Sequence, residues 1–540
     1  MKKAVIIPAV KKNVAFHDDL VKKLAGRSLI ERSVGKAKEI TEKENIYVVT
    51  DSEEIRLFCQ RKDVHYFYEK SLKLNPGAIA ESIITFLLSI ANKYQTLILL
   101  SPYAPLLKAD EICKALKEFE ARKAKLVIPV KEEASRIFTG NQKDIHEILN
   151  GEVERKLLVE SQSFQIIGSD LIKNGLLGSA GIKPHVYALD HNLIEIKSYQ
   201  DWWVCEKLLR RKRIVFRVIG DEKVGMGHIQ RALTLAHEIT DHEIIFVCEA
   251  NSQIAIIKLE DFDYLLKVCK SDEIEDEIVA LEPDLIINDV LDSSPNYIRK
   301  LRAKNISVIN FEDLGEGADL ANLTINELYD DPLISGENIL WGQDYFFVRE
   351  EFDDAKPTQF HENIQGLLIM FGGTDPNDYT RKILRIVKGI CQKNNIKIYV
   401  ITGGGYPFIN ELEREINQME DADIEYHHSI NVVSHIMEKV QIAISANGRT
   451  AYELAHMNLP SIVLSHHERE NSHKFTREEN GHIPLGIYKG AETEKKVRET
   501  LERLTADRDY RKMLFDRMEP FQFTKNKEKV VSLIHSMLKH

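Results

Sequence analysis

A histidine that follows a glycine-rich turn is the residue of this sequence best suited to catalysis. In the segment 214–231 a predicted strand leads into a loop, and Gly225, Gly227 and His228 then open a predicted helix. Glycines at such a position let backbone N–H groups approach an anion, and a histidine on the first helical turn can serve as a general base at a cleft. The alternative is a tight turn with a surface histidine, and this segment alone leaves the two interpretations equally open.

Two further segments have the order strand, glycine turn, helix that is typical of phosphate sites. Gly372-Gly373-Thr374-Asp375 precedes a helix predicted from about Tyr379, whose N-terminus and the Thr374 hydroxyl can hold a phosphate. Asn447-Gly448 precedes a second helix that carries Glu453. That carboxylate is predicted to accept both ribose hydroxyls of a nucleotide, with an exposed helical carboxylate as the alternative.

The elements that must position these residues belong to the α/β fold class. Short runs rich in Val, Ile and Leu alternate with amphipathic stretches along the chain, which predicts βαβ units, parallel sheets and a ligand cleft at the carboxyl ends of the strands. A basic segment, 207–213, and a polar segment, 353–360, indicate two boundaries. We therefore expect domains at 1–210, 211–355 and 356–540.

Length and composition exclude several classes of protein. The chain has 540 residues, 43% hydrophobic and 29% charged, which is typical of a folded globular protein with several domains. The net charge of −11 disfavours nucleic acid as a partner. The six cysteines are far apart, so neither zinc nor a redox pair is expected, and a reducing cytoplasm fits. No apolar run approaches the roughly 20 residues that span a bilayer, and no membrane span is expected.

The second half resembles a known family over roughly residues 214–490. The motifs 225–231, 311–313, 349–352, 372–375 and 445–453 are similar to those of the UDP-sugar hydrolases of pseudaminic acid biosynthesis and their spore-coat polysaccharide relatives. The resemblance implies a two-lobed GT-B-like pair of Rossmann domains, with UDP in the C-terminal lobe and His228 as catalytic base in the N-terminal lobe. It also implies hydrolysis of the anomeric C–O bond of a UDP-linked amino sugar, in nonulosonic acid biosynthesis, without a metal or cofactor.

The residues expected to contact substrate or nucleotide besides His228 follow from these motifs; they are Arg217, Gly225, Gly227, Arg231, Gly372, Gly373, Thr374, Asp375, Asn447, Gly448, Glu453, Asn471 and Ser472. His466, His467 and His473 have no zinc-site spacing, so they are predicted to line the nucleotide or sugar pocket rather than bind a metal. Gly403–Gly405 is interpreted as a flexible turn. The chain departs from the family at Ile219, where an acidic residue is usual, and at Asn288-Asp289-Val290, where Asp-His-Tyr is usual.

The first half, roughly residues 1–205, resembles the acylneuraminate cytidylyltransferases, also called CMP-sialic acid synthetases. The matching segments are 4–9, 24–30, 48–55, 99–106 and 194–202. The resemblance implies a Rossmann-like nucleotidyltransferase domain, CTP or CMP as ligand, and a homodimer formed through this domain.

Three catalytic elements of that family are altered. The triphosphate loop reads Val10-Lys11-Lys12-Asn13-Val14, the segment 101–107 lacks its arginine, and the metal-binding Asp-x-Asp reads Glu195-Ile196-Lys197. A degenerate domain is therefore expected, and Mg²⁺ is required only if this half is active.

Three other functions stay open at this point. The chain can be a bifunctional enzyme with an active CMP-sugar synthetase half. Its second half can be a GT-B glycosyltransferase, because replacing water by an acceptor hydroxyl converts one reaction into the other. It can also be a sugar-nucleotide-binding protein without catalysis.

Overall fold

A computed structural model describes residues 2–10, 16, 18–70, 81–133, 138–141, 144–147, 157–176, 182–189, 193–221, 224–419 and 421–538. The expected loss of the triphosphate loop at Lys11, Lys12, Asn13 and Val14 lies outside the described residues. The chain divides into two compact units, Met1–Arg211 and Lys212–His540. Among the described helices, none combines the length and the apolar character needed to cross a bilayer.

The first unit contains a mixed sheet with helices on both faces. The strands are β1 Lys3–Ala9, β2 Lys23–Leu24, β3 Arg27–Ser28, β4 Ile46–Thr50, β5 His65–Tyr68, β6 Thr96–Leu100, β7 Leu126–Glu133, β8 Phe138–Asn141, β9 Asp144–Glu147, β10 Leu157–Glu160, β11 Phe164–Gly168 and β12 His185–Ala188. The helices are α1 Leu29–Ile40, α2 Glu53–Arg61, α3 Glu81–Ala91, α4 Ala109–Ala121, α5 Ser169–Lys173 and α6 Tyr199–Arg210.

The sheet of the first unit has the order β10-β7-β11-β6-β1-β4-β5, and β12 also pairs with β7. Strand β1 is parallel to both β4 and β6, whereas β11 is antiparallel to β6 and β7. Val5, Ile6 and Ile7 of β1 are fully buried because helices cover both faces of the sheet. The continuous apolar run of β1 is therefore explained by its central position.

The second unit is built on two parallel sheets. The strands are β13 Arg213–Val218, β14 Glu243–Glu249, β15 Leu265–Cys269, β16 Leu285–Asp289, β17 Ser307–Phe311, β18 Leu323–Asn326, β19 Ile339–Trp341, β20 Gly366–Met370, β21 Lys397–Thr402, β22 Ile424–His428, β23 Ile442–Ala446, β24 Ser461–Ser465 and β25 His482–Ile487.

The helices of the second unit connect these strands and cover both sheets. They are α7 Gly227–Glu238, α8 Gln253–Glu260, α9 Ile274–Ala280, α10 Pro295–Ala303, α11 Tyr379–Lys393, α12 Ile409–Asn417, α13 Ser434–Met437, α14 Arg449–His456, α15 Glu468–Asn471, α16 Ala491–Ala506, α17 Arg508–Met518 and α18 Thr524–Met537.

The strand orders of the two sheets follow the doubly wound pattern. The first is β15-β14-β13-β16-β17-β18-β19 and the second is β22-β21-β20-β23-β24-β25, with parallel pairing throughout. In each sheet the order reverses beside the first strand, between β13 and β16 or between β20 and β23. Ligands of such sheets bind at the carboxyl ends of the strands at this switch point. The expected α/β class, with a Rossmann-like domain followed by a pair of Rossmann domains, is confirmed.

The last helix differs from its expected assignment. Val530 and Ile534 of α18 are fully buried, and with Leu538 they belong to the same apolar cluster as Ile214 and Phe216 of β13. The end of the chain thus completes the core of the first lobe of the second unit, although the sequence placed all of 356–540 in the C-terminal lobe. An amphipathic helix needs only an apolar surface to cover, so its sequence does not say which lobe supplies that surface.

Candidate active site

A cavity of about 330 Å³ lies in the second unit where the carboxyl ends of both sheets meet. That volume is within the range of small-molecule sites, roughly 300–1,000 Å³. Predicted site residues from both lobes line the cavity; they are Gly225, Gly227, His228, Gly372, Gly373, Thr374, Gly448 and Glu453. The switch points of the two sheets therefore bring together segments that are more than 140 residues apart in the chain.

His228 lies on the first turn of α7, lines the cavity and is 5% exposed. Its Nδ1 is hydrogen-bonded to Oδ1 of Asp289, the last residue of β16. A carboxylate only accepts, so Nδ1 donates and the proton-free nitrogen is Nε2. Nε2 lies 3.7 Å from Oε2 of Glu312. The imidazole is therefore held in the tautomer that a general base requires.

Arg231, one turn further along α7, is fully buried among three carboxylates. Its Nε donates to Asp289 Oδ2 over 2.7 Å, and its Nη1 donates to Glu312 over 2.8 Å and to Glu327 over 2.9 Å. Burial raises the pKa of Asp289 and of Glu312, but the guanidinium of Arg231 and the adjacent His228 outweigh it and hold both pKa values below their ordinary range. Both carboxylates are therefore ionised beside the histidine.

The glycine loop after β20 faces this cluster from the other lobe. Gly372 has a φ of +77°, a left-handed conformation that favours glycine. A side-chain carbon at Gly403, after β21, would lie 2.4 Å from the Gly373 carbonyl oxygen. The segment 403–405, expected to be a flexible turn, is thus packed against the glycine loop 372–374, and Gly405 N–H donates to the Gly373 carbonyl over 3.0 Å. Backbone N–H groups at such a loop can bind phosphate.

Glu453 lines the cavity from the second turn of α14 and is 6% exposed. Nε of Arg349 donates to its Oε1 over 3.1 Å, while Nη2 of Arg349 lies 2.8 Å from Glu351. The ion pair fixes the direction of the Glu453 carboxylate. The remaining oxygen can accept hydroxyl groups, which is the chemistry expected of a ribose contact.

The segment 466–473 lines the cavity with five titratable side chains, which are His466, His467, Arg469, Glu470 and His473. Burial lowers the pKa of His466 to about 4 and raises the pKa of Glu470 to about 7. His466 stacks on Tyr379 with ring centroids 4.7 Å apart, and Nδ1 of His473 lies 2.8 Å from the Asn447 carbonyl oxygen. Within the described ranges, no group of three or more His, Cys, Asp or Glu side chains is arranged to bind a metal.

Six of the predicted contact residues do not line the cavity; they are Arg217, Arg231, Asp375, Asn447, Asn471 and Ser472. Arg217 pairs with Glu249 over 3.1 Å, and Arg231 is enclosed by carboxylates. The side chains or backbone of the other four take part in local loop and helix structure. Motif position alone did not separate residues that face the ligand cavity from those that support it.

Asp375 accepts the backbone N–H groups of Tyr379 and Thr380 over 2.8 Å each, so it caps α11 rather than facing a ligand. Asn447 donates to the carbonyls of Glu470 and His473, over 2.9 and 3.2 Å. Ser472 donates to the Arg469 carbonyl over 2.6 Å, and Asn471 ends α15. These side chains shape the loops around the cavity.

Sequence reasoning assigned no role to Asp289, Glu312, Glu327 or Arg449, although Glu312 and Arg449 lie inside the motifs 311–313 and 445–453. Asp289 ends β16, Glu312 follows β17 and Glu327 follows β18. Carboxyl ends of parallel strands meet at one edge of a sheet, so acidic residues at these ends are brought together by the fold. That signal was present: Asp289 lies in the segment 288–290, where it appeared only as a departure from the family.

In the first unit, the structure shows the surroundings of Glu195-Ile196-Lys197, which replaces the Asp-x-Asp motif of the family. Oε1 of Glu195 accepts from the Ser161 hydroxyl over 2.6 Å and from the Gln162 N–H over 3.1 Å. The ammonium groups of Lys131 and Lys197 lie 3.5 and 3.7 Å from the same carboxylate. Glu195 is therefore already neutralised by two lysines, and its surroundings do not fit a bound Mg²⁺.

Comparison with known proteins gave relatives of modest similarity. No family model matches the chain. The chain is 25% identical over 267 residues to an uncharacterized protein of Methanocaldococcus jannaschii, a match that covers 46% of this chain and 54% of the relative, about half of its length. It is 22% identical over 284 residues to the spore coat polysaccharide biosynthesis protein SpsG of Bacillus subtilis, covering 51% of this chain and 83% of that protein.

Two solved structures are among the matches. A CMP:2-keto-3-deoxy-manno-octonic acid synthetase complexed with CTP is 12% identical, with a TM-score of 0.32 over 39% of this chain and 98% of the synthetase. Acinetobacter baumannii MurG is 13% identical, with a TM-score of 0.42 over 60% of this chain and 99% of MurG. The resemblance to spore-coat polysaccharide proteins that the motifs indicate is confirmed by the Bacillus relative: over about half of its length, the chain is similar to SpsG.

Proposed function

We propose that the second unit is an enzyme of surface-glycan biosynthesis that hydrolyses the anomeric C–O bond of a UDP-linked amino sugar and releases UDP. The observation that carries this proposal is that His228, which is hydrogen-bonded to Asp289, lines the same cavity as the glycine loop 372–374. The similarity to the spore coat polysaccharide biosynthesis protein SpsG supports the proposed role in surface-glycan biosynthesis.

The proposed reaction uses the residues as follows. Nε2 of His228 accepts a proton from water as the water oxygen attacks the anomeric carbon. The bond from that carbon to the phosphate oxygen breaks, and its electron pair leaves on UDP. Asp289 stabilises the imidazolium that forms, as the carboxylate of a catalytic triad does.

The leaving group is stabilised by the other lobe. Backbone N–H groups of the loop 372–374 and the N-terminus of α14 favour the negative charge of a diphosphate. Because a nucleoside diphosphate already leaves as a stable anion, the reaction needs no general acid. Glu453 accepts the ribose hydroxyls in this arrangement.

The test is release of UDP from a panel of UDP-linked diacetamido sugars, with and without an acceptor sugar. Release into water supports hydrolysis, whereas release that requires the acceptor makes the protein a glycosyltransferase. An unchanged rate in His228→Ala would remove the proposed base. Tight UDP binding with no release under either condition would leave a binding protein.

For the first unit we propose a retained nucleotidyltransferase fold that no longer transfers cytidylate. The pairing of Glu195 with Lys131 and Lys197 supports this proposal, because a carboxylate neutralised by two ammonium groups has little affinity for Mg²⁺. Incubation with CTP, Mg²⁺ and nonulosonic acids tests it. Release of pyrophosphate would instead make the chain bifunctional.

A further inference from the structure

Three carboxylates converge on Arg231 from the ends of three neighbouring strands. Asp289 accepts hydrogen bonds from Nε and Nη2 of Arg231, and Glu312 and Glu327 both accept hydrogen bonds from its Nη1. The guanidinium is planar and rigid, so acceptors on its two sides fix its orientation. Since Asp289 is also hydrogen-bonded to the imidazole of His228, the orientation of Arg231 affects the orientation of the histidine.

Glu327 is the member of this group that also contacts the other lobe. Its Oε1 is paired with Nη1 of Arg449, the first residue of α14, and its side chain is 0% exposed. Nη2 of Arg449 donates to the Phe347 carbonyl over 2.8 Å, and the guanidinium lies 4.5 Å from the ring centroid of Phe346. One buried carboxylate oxygen thus joins an arginine of each lobe.

A second arginine reduces the excess of negative charge in this buried group. Asp289, Glu312 and Glu327 place three carboxylates around the one guanidinium of Arg231, and Arg449 brings a second cation to Glu327. Burying unpaired charge is strongly unfavourable. Oε2 of Glu327 is buried and has no hydrogen-bond partner in the part of the chain described, so Oε1 carries the whole interaction.

The geometry of the cleft allows Arg449 of one lobe to reach the helix that carries His228 in the other lobe. Arg449 lines the ligand cavity, and a side-chain carbon at Gly227 would lie 3.3 Å from its Cδ. The glycine beside His228 therefore leaves room for the arginine of the opposite lobe. Arg449 is on the same helix as Glu453, the proposed ribose contact.

We propose that Glu327 is a positioning residue that couples helix α14 of the nucleotide-binding lobe to the catalytic histidine. The connection runs from Arg449 through Glu327 and Arg231 to Asp289, which orients His228. This inference rests on the proposed function of the same site. It adds that His228 is oriented for catalysis only when Arg449 of the second lobe is paired with Glu327.

The experiment compares the full chain with Glu327→Gln, Arg449→Met and the double variant. Gln keeps the size of Glu327 and removes one buried negative charge, so folding is expected to survive, and thermal unfolding checks it. Glu243→Gln is the matched control, because Glu243 forms a half-exposed pair with Arg213 over 2.9 Å away from the cavity.

We expect Glu327→Gln to lower kcat for UDP release roughly 10- to 100-fold, because small displacements of a catalytic group cost about that much. KM and the affinity for UDP alone should change by less than about threefold, since Glu327 does not touch the ligand. Arg449→Met should lower kcat similarly, and the double variant should be no slower than Arg449→Met, because both changes cut the same connection.

A second readout does not depend on turnover. Proton NMR of the chain labelled with ¹⁵N-histidine should show a strongly deshielded Nδ1–H resonance that disappears in His228→Gln. Glu327→Gln should shift or broaden this resonance, and Glu243→Gln should not. An unchanged resonance together with an unchanged kcat would overturn the coupling.

The two readouts separate the two proposals. If no UDP-sugar is turned over, the proposed function fails, and the resonance still tests the connection. If turnover occurs but Glu327→Gln lowers only thermal stability, with kcat and the resonance unaffected, Glu327 is a structural residue and the inference is wrong.

Discussion

Nδ1 of His228 is hydrogen-bonded to the carboxylate of Asp289, which ends the strand beside the one that leads to the histidine. The two residues are 61 positions apart in the chain, and the reversal of strand order between β13 and β16 brings them together. Because Arg231 holds the same carboxylate, the histidine is oriented by an ion pair rather than by a single hydrogen bond.

Replacing Asp289 by Asn should lower kcat for UDP release on the order of 10³-fold or more, as in catalytic triads whose aspartate is replaced. An amide cannot hold the Nδ1–H tautomer in the same way, so Nε2 loses its proton-free state. UDP affinity, measured by calorimetry, should stay within about threefold of the wild type, because Asp289 does not line the cavity. A kcat within a few-fold of wild type would contradict the dyad.

Replacing Gly403 by Ala should displace the glycine loop 372–374. The new methyl group would meet the backbone of Gly373 at 2.4–2.7 Å, and backbone cannot rotate away. Overpacking of this kind costs about 1–3 kcal/mol, measured as a lower free energy of unfolding in urea. UDP affinity should fall as well, since the displaced loop is the one proposed to bind the diphosphate.

The matched control is Gly389→Ala. Gly389 lies inside α11, and a side-chain carbon there has no atom within 4 Å. Alanine is the better helix former by about 1 kcal/mol, so this variant should be as stable as the wild type or more stable. Equal effects of the two substitutions would show that the contact between Gly403 and Gly373 does not matter.

The stability of the second unit should depend on pH through Glu470. Burial raises the pKa of its carboxyl group from the ordinary 4.5 to about 7. The folded state therefore binds more protons than the unfolded state between these values, and the free energy of unfolding decreases as pH rises through this window. Glu470→Gln does not titrate, so it should gain stability relative to the wild type between pH 5 and 8, by up to about 2 kcal/mol.

Urea unfolding of both proteins at pH 5 and pH 8 measures that difference. Asp375, whose pKa burial raises to about 6, is present in both proteins, and its charge contributes to the raised pKa of Glu470. A stability difference that is the same at both pH values would rule out titration of Glu470 in this range.

The contact between Glu453 and ribose can be tested with a modified ligand. The wild type should bind UDP roughly tenfold more tightly than 2′-deoxy-UDP, since one hydrogen bond to a charged acceptor is worth about 1.5 kcal/mol. Glu453→Gln should weaken UDP binding and lose most of this preference. If the variant keeps the full preference for UDP, another group binds the ribose.

Mg²⁺ should not stabilise the first unit. Thermal unfolding of the full chain with CTP should be the same with and without Mg²⁺, because Glu195 is engaged by Ser161, Lys131 and Lys197. Glu195→Gln should lower the free energy of unfolding by about 1–3 kcal/mol, as expected when buried donors lose a charged acceptor. A Mg²⁺-dependent rise in Tm that this variant abolishes would reveal a metal site.

The sequence by itself determined the α/β class, the switch-point loops and the segment that carries His228, because these are local patterns of alternating strands, helices and glycine turns. It also carried the similarity to spore-coat polysaccharide proteins. Local patterns have a physical limit, because they predict the conformation of a segment but not which distant segments pack against it.

Tertiary structure alone decided which of those residues face the cavity. Asp375 and Asn447 form hydrogen bonds with backbone groups at helix and loop ends. Arg231 is surrounded by carboxylates from the ends of three strands, which are Asp289, Glu312 and Glu327. Strand order in a sheet is set by packing between segments distant in the chain, so no single segment encodes it. For the same reason the helix α18 joins the core of the lobe that begins more than 300 residues before it.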